Sequence, residues 1–191
     1  MTDGIVMAIL NGSTGPVAPG STFSVAQAED RMRQLPSHGW TSGWTGRRDR
    51  AMLVLTAMAA LDDVTIAGLT VGDITVADGV ATIRTASGTK ILGSNDDDLI
   101  CAPCALARWL RALDMTVLYP SGRVLAAVIA RSAPLTADSP HLCQGTLTLT
   151  PEARSLPVLP PSDIAEQHRP IRTPARGIPT QRANSAELVS S

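Results

Sequence analysis

The chain has 191 residues, enough for one domain of ordinary size with additional chain at its ends. Hydrophobic residues make up 44% of the sequence and aromatic residues only 3%, so a core must be built mainly from Ala, Leu, Val and Ile. The formal net charge of −1 excludes a strongly basic nucleic-acid coat, and the composition excludes collagen-like and highly charged disordered chains.

Membrane and secretion signals are missing from the sequence. The longest apolar run, residues 51–61, is shorter than the ~20 residues of a membrane helix. No basic region precedes the short apolar run at 5–10, which argues against a signal peptide. Three cysteines cannot all pair within one chain. We therefore expect a cytoplasmic protein with reduced thiols and no membrane contact.

The first elements follow a leader. Residues 1–22 are rich in Gly, Pro and Ser and predict a flexible segment. Ser24 followed by Gln27 has the spacing of a capping box, which predicts a short helix that ends before Pro36. The segment 39–46 carries two tryptophans in turn-like contexts, so their rings are expected to hold a loop against the core.

Apolar patterning predicts the centre of the fold. Residues 47–61 are apolar nearly all round, which is typical of a buried helix. A short helix is expected over 64–69, with Asp62 and Asp63 as its N-terminal cap. The alternation in residues 74–85, with its Asp-Gly turn, predicts a hairpin. A third strand is expected around 90–92.

The second half begins with an acidic run and continues with helices. Asp96, Asp97 and Asp98 lack the alternation of a calcium-binding loop, so they are interpreted as a solvated loop. Helices are predicted from Pro103 to Leu113 and over 121–131, and a strand over 145–150. From residue 155 onward proline is frequent and apolar periodicity stops, which predicts a disordered tail over 155–191.

Five segments, in this order, resemble the catalytic core of tyrosine recombinases, the phage-integrase family. Residues 46–55, Gly-Arg-Arg-Asp-Arg-Ala-Met-Leu-Val-Leu, resemble the family's "GLRDRALLLLL". Residues 61–74 resemble "LRVSELLALRVEDV", and residues 79–90 stand where the family has its β-hairpin. Residues 100–110 resemble "LCPVRALRAWL", and residues 118–123 resemble "LFPSRRGR". The resemblance covers residues 46–123 and implies an α+β, mainly helical domain with a three-stranded antiparallel sheet.

The catalytic set that the resemblance would imply is broken. Asp62 stands where the family has the phosphate-binding arginine of its "GLR" motif, and a carboxylate there reverses the sign of the charge. Like charges ~4 Å apart repel by roughly 4 kcal/mol at an effective dielectric of ~20. The single tyrosine, Tyr119, lies upstream of the nucleophile's place, and Gln144 stands where the family's His-x-x-Arg motif has its arginine. We therefore expect no catalytic residues and no enzymatic activity.

Four cations are candidates for contacting DNA. Arg47, Arg48 and Arg50 stand at the start of a predicted helix, where the helix dipole disfavours cations, and an arginine fork suits phosphate. Lys90 matches the hairpin lysine of the family. The alternative is a solvated helix start with Asp49 facing the dipole.

Cysteines suggest a further site. Cys101 and Cys104 have metal-ligand spacing, and His141 and Cys143 would complete four ligands. The alternative, that these cysteines pack as small hydrophobes in an apolar helix start, is favoured. Neither a metal nor another cofactor is therefore assigned, and metal binding by the four stays an open question.

Together these features predict a leader over 1–22, an integrase-like domain over 23–154 and a proline-rich tail over 155–191. The predicted function is that of a catalytically inactive, truncated recombinase-like protein that retains binding to duplex DNA. The alternative is a protein-interaction module, with the tail as the docking segment, or a decayed remnant without selected activity.

Overall fold

The computed structural model describes residues 24–160, so the predicted leader and most of the predicted tail lie outside the described residues. The first helix, α1, spans Val25–Gln34. The Ser24 side chain accepts from the Gln27 backbone and the Gln27 side chain accepts from the Ser24 backbone, so the predicted capping box is confirmed. Ala28 and Met32 form the buried side of this helix.

The central buried helix begins earlier than its sequence pattern indicates. Helix α2 spans Ser42–Leu53 and continues as a π-helical turn over Val54–Met58. The prediction that both tryptophans lie in turns is therefore wrong for Trp44, which is a buried residue of α2. The centroid of its ring lies 4.9 Å from that of Trp109. This packing stabilises the helix although the glycines on either side of Trp44 favour a turn.

A short helix and a small sheet follow. Helix α3 spans Asp63–Gly68, and the Asp62 side chain accepts from the Thr65 backbone N–H, so the predicted cap is confirmed. The strands are β1, Ile74–Ala77, then β2, Val80–Thr85, and β3, Gly88–Gly93, in an antiparallel sheet of order β1-β2-β3. The three-stranded sheet is confirmed. Its inward face includes Ile74, Val76, Ala81 and Ile83.

Two more helices complete the α+β architecture. Helix α4 spans Ala102–Leu118 with Pro103 in its first turn, as predicted, and helix α5 spans Arg123–Arg131. All ten residues from Cys101 to Leu110 are buried. The α4 helix packs against α2 and against the sheet, which places it at the centre of the domain.

The segment after α5 has little regular structure, and the predicted strand over 145–150 is wrong. That stretch has one recorded backbone bond to the sheet, from the Leu147 N–H to the Val76 carbonyl. The chain then packs on the core through Val158, which is fully buried and whose carbonyl accepts from the Trp109 indole N–H at 2.7 Å. Residues 155–158, assigned by composition to the tail, therefore belong to the folded part.

Within residues 24–160, no helix combines the length and apolar content needed to cross a bilayer.

Gly46 offers a test of how tightly α1 and α2 are joined. A Cβ added there would overlap the Pro36 carbonyl oxygen, whereas a Cβ at Gly68 meets nothing within 4 Å. We expect Gly46→Ala to lower the free energy of unfolding by about 2–3 kcal/mol through overpacking. The matched change Gly68→Ala, in α3, is expected to raise it by up to about 1 kcal/mol. Urea denaturation followed by tryptophan fluorescence measures both; equal effects would contradict the close approach.

Candidate functional site

Asp62 stands where the family resemblance expects a phosphate-binding arginine. Its carboxylate accepts from the Thr65 N–H at 2.7 Å. The hydrogen bonds from Thr65 lower the pKa of Asp62, so the group is ionised at neutral pH. A fixed negative charge at the start of α3 repels phosphate, and its capping role gives the carboxylate a purely structural reason to be there.

The other two positions that the resemblance singles out, Tyr119 and Gln144, lie on different segments from Asp62. Tyr119 caps the C-terminus of α4, its backbone N–H donating to the Met115 carbonyl, and its side chain is exposed. Gln144 is exposed in the irregular segment after α5.

Two of the three arginines proposed to contact DNA are turned toward the protein. Arg47 donates to the Gly43 carbonyl at 2.9 Å and to the Ser132 hydroxyl at 3.1 Å. Arg50 is 3% exposed, and its guanidinium donates to the carbonyls of Leu35 and Pro36. Neither the DNA-facing hypothesis nor the solvated helix start describes these two side chains.

Arg48 and Lys90 differ from that pair. Arg48 donates two bonds, of 3.0 and 2.9 Å, to the Asp49 carboxylate beside it, and both side chains are largely covered. Lys90 is exposed on β3, opposite Ile83 of β2. Of the four candidate DNA contacts, Lys90 alone has an exposed side chain.

Burial shifts the titration of the inward-facing arginines. The pKa of Arg47 is lowered, and that of Arg50 is lowered to about 10. The main cause is desolvation by burial, and the next largest is repulsion from the charge of Arg108. Both side chains are still cations at neutral pH. The charge of Arg50 therefore lies inside the domain, where its two terminal nitrogens donate to carbonyl groups, and that of the half-buried Arg47 is directed toward Gly43 and Ser132.

The acidic run divides into residues with different environments, which corrects its interpretation as a solvated loop. Asp96 is exposed, and Asp97 accepts from Arg33 at 3.1 Å. Asp98 is buried, with its two carboxylate oxygens 2.8 and 2.6 Å from one guanidinium nitrogen of Arg108. The sequence signal for this pair is an arginine within the otherwise apolar stretch of α4, but nothing local assigns its partner.

Four side chains that could hold a metal ion come together where the acidic run meets α4. Their candidate ligand atoms all lie within 4.8 Å of one another. The Cys104 sulfur is 3.3 Å from the Cys143 sulfur and 3.4 Å from the His141 Nδ1, and the Cys101 and Cys143 sulfurs are 3.8 Å apart. The alternative that the cysteines are only small hydrophobes does not account for the imidazole among them.

Contacts within this group perturb its titration. A hydrogen bond from Cys104 lowers the pKa of Cys101 to about 5, and the same interaction raises the pKa of Cys104. The adjacent Cys101 sulfur raises the pKa of His141. One thiolate beside an imidazole is thus available at neutral pH, but the Cys101 side chain is fully buried and offers no surface to an external substrate.

No protein-family model, curated protein or solved structure matches the chain. The recombinase resemblance therefore stays a prediction from the sequence motifs.

Removing Asp98 tests whether the buried ion pair supports this end of α4. We expect Asp98→Ala to lower the free energy of unfolding by about 3–5 kcal/mol, because Arg108 would be left as a buried charge without its partner. Asp96→Ala, two residues away on an exposed side chain, is the matched control and is expected to change it by less than about 0.5 kcal/mol. Chemical denaturation measures both, and similar losses would contradict a special role for Asp98.

Proposed function

We propose that this chain is a catalytically inactive domain of recombinase-like topology, and that it acts by binding a protein rather than duplex DNA. Its order of elements, a long buried helix, a short helix, three strands and two helices, agrees with the order expected from the five sequence segments. Ala60, where the "GLR" motif has glycine, adopts φ +52°, a conformation that favours glycine. This backbone supports common ancestry, and Asp62 supports loss of phosphoryl transfer.

The observation that carries the choice of partner is the outward face of α5. Leu125 and Ile129 point into the core, as expected for an amphipathic helix. The opposite side is apolar too, with Val124 and Val128 40% and 47% exposed. A helix that is apolar on both sides is normally covered on both sides.

Charge defines what would fit this face. Val124, Ala127 and Val128 line a shallow cavity of about 330 Å³ with Arg123 and Arg131 at its ends. The i, i+3 and i+4 spacings place the lining residues from Val124 to Arg131 on one stripe. An apolar peptide segment flanked by Asp or Glu matches valines bracketed by arginines.

The inward-facing arginines weigh against DNA. Non-specific DNA binding depends on cations that displace counterions from phosphates. Arg47 and Arg50 donate hydrogen bonds to carbonyl or hydroxyl groups of the protein itself, and the chain's net charge is −1. Docking through the proline-rich tail concerns residues outside the described range and stays a prediction.

A salt series separates DNA from protein as the partner. Labelled duplex DNA is titrated with the full chain at low and physiological salt, and fluorescence anisotropy is expected to show no saturable binding at physiological salt. Binding that weakens steeply with salt and is reduced in Arg48→Ala or Lys90→Ala would overturn the proposal. A nicked duplex that traps recombinase intermediates is expected to give no covalent adduct; an adduct lost in Tyr119→Phe would disprove inactivity.

A peptide selection tests the α5 face directly. Random peptides displayed on phage are selected on the wild-type chain and counter-selected on Val128→Asp, and we expect enrichment of apolar sequences flanked by acidic residues. The control is Val64→Asp, because Val64 is 84% exposed on α3, away from this stripe, and the change should leave binding intact. Failure to recover any peptide that distinguishes Val128→Asp from Val64→Asp would count against this surface.

A further inference from the structure

The cluster of Cys101, Cys104, His141 and Cys143 has the composition and size of a metal centre. We propose that these four side chains bind one Zn²⁺ ion as a structural site. Zinc–sulfur bonds of about 2.3 Å in a tetrahedron place sulfur atoms about 3.8 Å apart. The Cys101 and Cys143 sulfurs are 3.8 Å apart, and the Cys104 and Cys143 sulfurs 3.3 Å apart. Small side-chain adjustments thus suffice to receive the ion.

The donor set selects the kind of metal. Three sulfurs and one imidazole nitrogen form a Cys₃His set, which is a common composition of structural zinc sites. Magnesium and calcium prefer oxygen ligands, so neither matches this group. All three cysteines are free, and the sulfur–sulfur distances of 3.3 and 3.8 Å are those of groups in contact rather than of a disulfide bond.

The orientation of the imidazole supplies an independent argument. The His141 Nε2 lies 3.2 Å from the Asp96 carbonyl oxygen, which can only accept a hydrogen bond. That contact places the proton of the neutral ring on Nε2 and leaves the lone pair of Nδ1 directed at the sulfurs. A metal-binding histidine characteristically donates its other N–H to a carbonyl or carboxylate in this way.

The start of α4 also favours the thiolate form of two of the cysteines. Cys101 caps α4 and Cys104 lies in its first turn, where the helix dipole favours thiolates. This position at the start of α4 stabilises the negative charge that metal coordination requires.

Burial makes the site structural rather than catalytic. The three cysteines are fully buried, and the side chain of His141 is 18% exposed. Four protein ligands complete a tetrahedron and leave no position for water or substrate, whereas catalytic zinc keeps one open. We therefore expect the ion to stabilise the fold rather than to take part in catalysis.

The positions of the four ligands in the chain show which segments the ion would link. Two belong to the start of α4 and two to the irregular segment after α5. The Cys143 carbonyl accepts from the Gly79 N–H at 2.7 Å, so the same residue also contacts the β1–β2 turn. A zinc ion would thus join the central helix, the sheet and a segment that has no strand or helix of its own at this point. Binding energy at such a site adds to the stability of the folded state.

Metal analysis of the purified full chain tests the proposal first. We expect one zinc ion per chain after growth in zinc-supplemented medium and purification without chelator. Cobalt added to the metal-free protein should produce thiolate-to-cobalt charge transfer and the d–d absorption of a tetrahedral site. A strong chelator should lower the thermal midpoint of the wild-type chain, and added zinc should restore it.

Variants at His141 identify the ligands. His141→Ala should lose most of the zinc, whereas His38→Ala, at an exposed histidine outside the cluster, should retain it. His141→Cys should retain metal and strengthen the cobalt charge-transfer absorption, because four thiolates then replace three. This gain does not depend on the folding of an impaired variant.

Two results would overturn the proposal. One is wild-type protein that contains no zinc and gives no tetrahedral cobalt spectrum. The other is zinc that is retained equally by His141→Ala and Cys143→Ser, since the metal would then lie elsewhere. Neither result bears on whether the α5 face binds a peptide.

Discussion

The burial of α4 is the constraint on which the rest of the structure depends. Its N-terminal half is covered on every side, so the polar groups it carries must find partners inside the protein. Arg108 finds Asp98, and the Trp109 indole finds the Val158 carbonyl. Each partner comes from a segment without regular structure, so these polar contacts attach the loops to the helix. The sulfur–imidazole cluster at Cys101 adds a third attachment at the helix start.

Arginine has an unusual structural part in this domain. Arg50 donates to two main-chain carbonyls that follow α1, which ties that end of the first helix to α2. A planar guanidinium with several donors can satisfy two carbonyls at once, whereas a lysine is a compact point charge. The predominance of arginine over lysine in the sequence is consistent with this internal use. The same use directs the Arg50 guanidinium into the protein rather than toward the surface.

Local signals in the sequence were sufficient for the elements that short-range physics controls. The Ser24 capping box, the Asp62 cap and the Asp-Gly turn at Asp78 each satisfy backbone groups a few residues away, so their spacing alone predicts the helix start or the turn. Secondary structure was predicted wrongly where contacts between residues distant in the sequence outweigh the local pattern. The alternating pattern at 145–150 predicted a strand, but the sheet ends at β1 and this segment offers it a single recorded backbone bond, through Leu147.

The sequence by itself determined the chemical inventory, which includes one lysine, one tyrosine and three cysteines. It also determined the α+β order of elements, because periodicity and caps are local properties of the chain. Only the tertiary structure decided that Asp98 is buried against Arg108, that Arg50 faces inward, and that His141 lies among the cysteines. Those outcomes join residues far apart in the sequence, and they depend on the packing of α4, which no local pattern encodes.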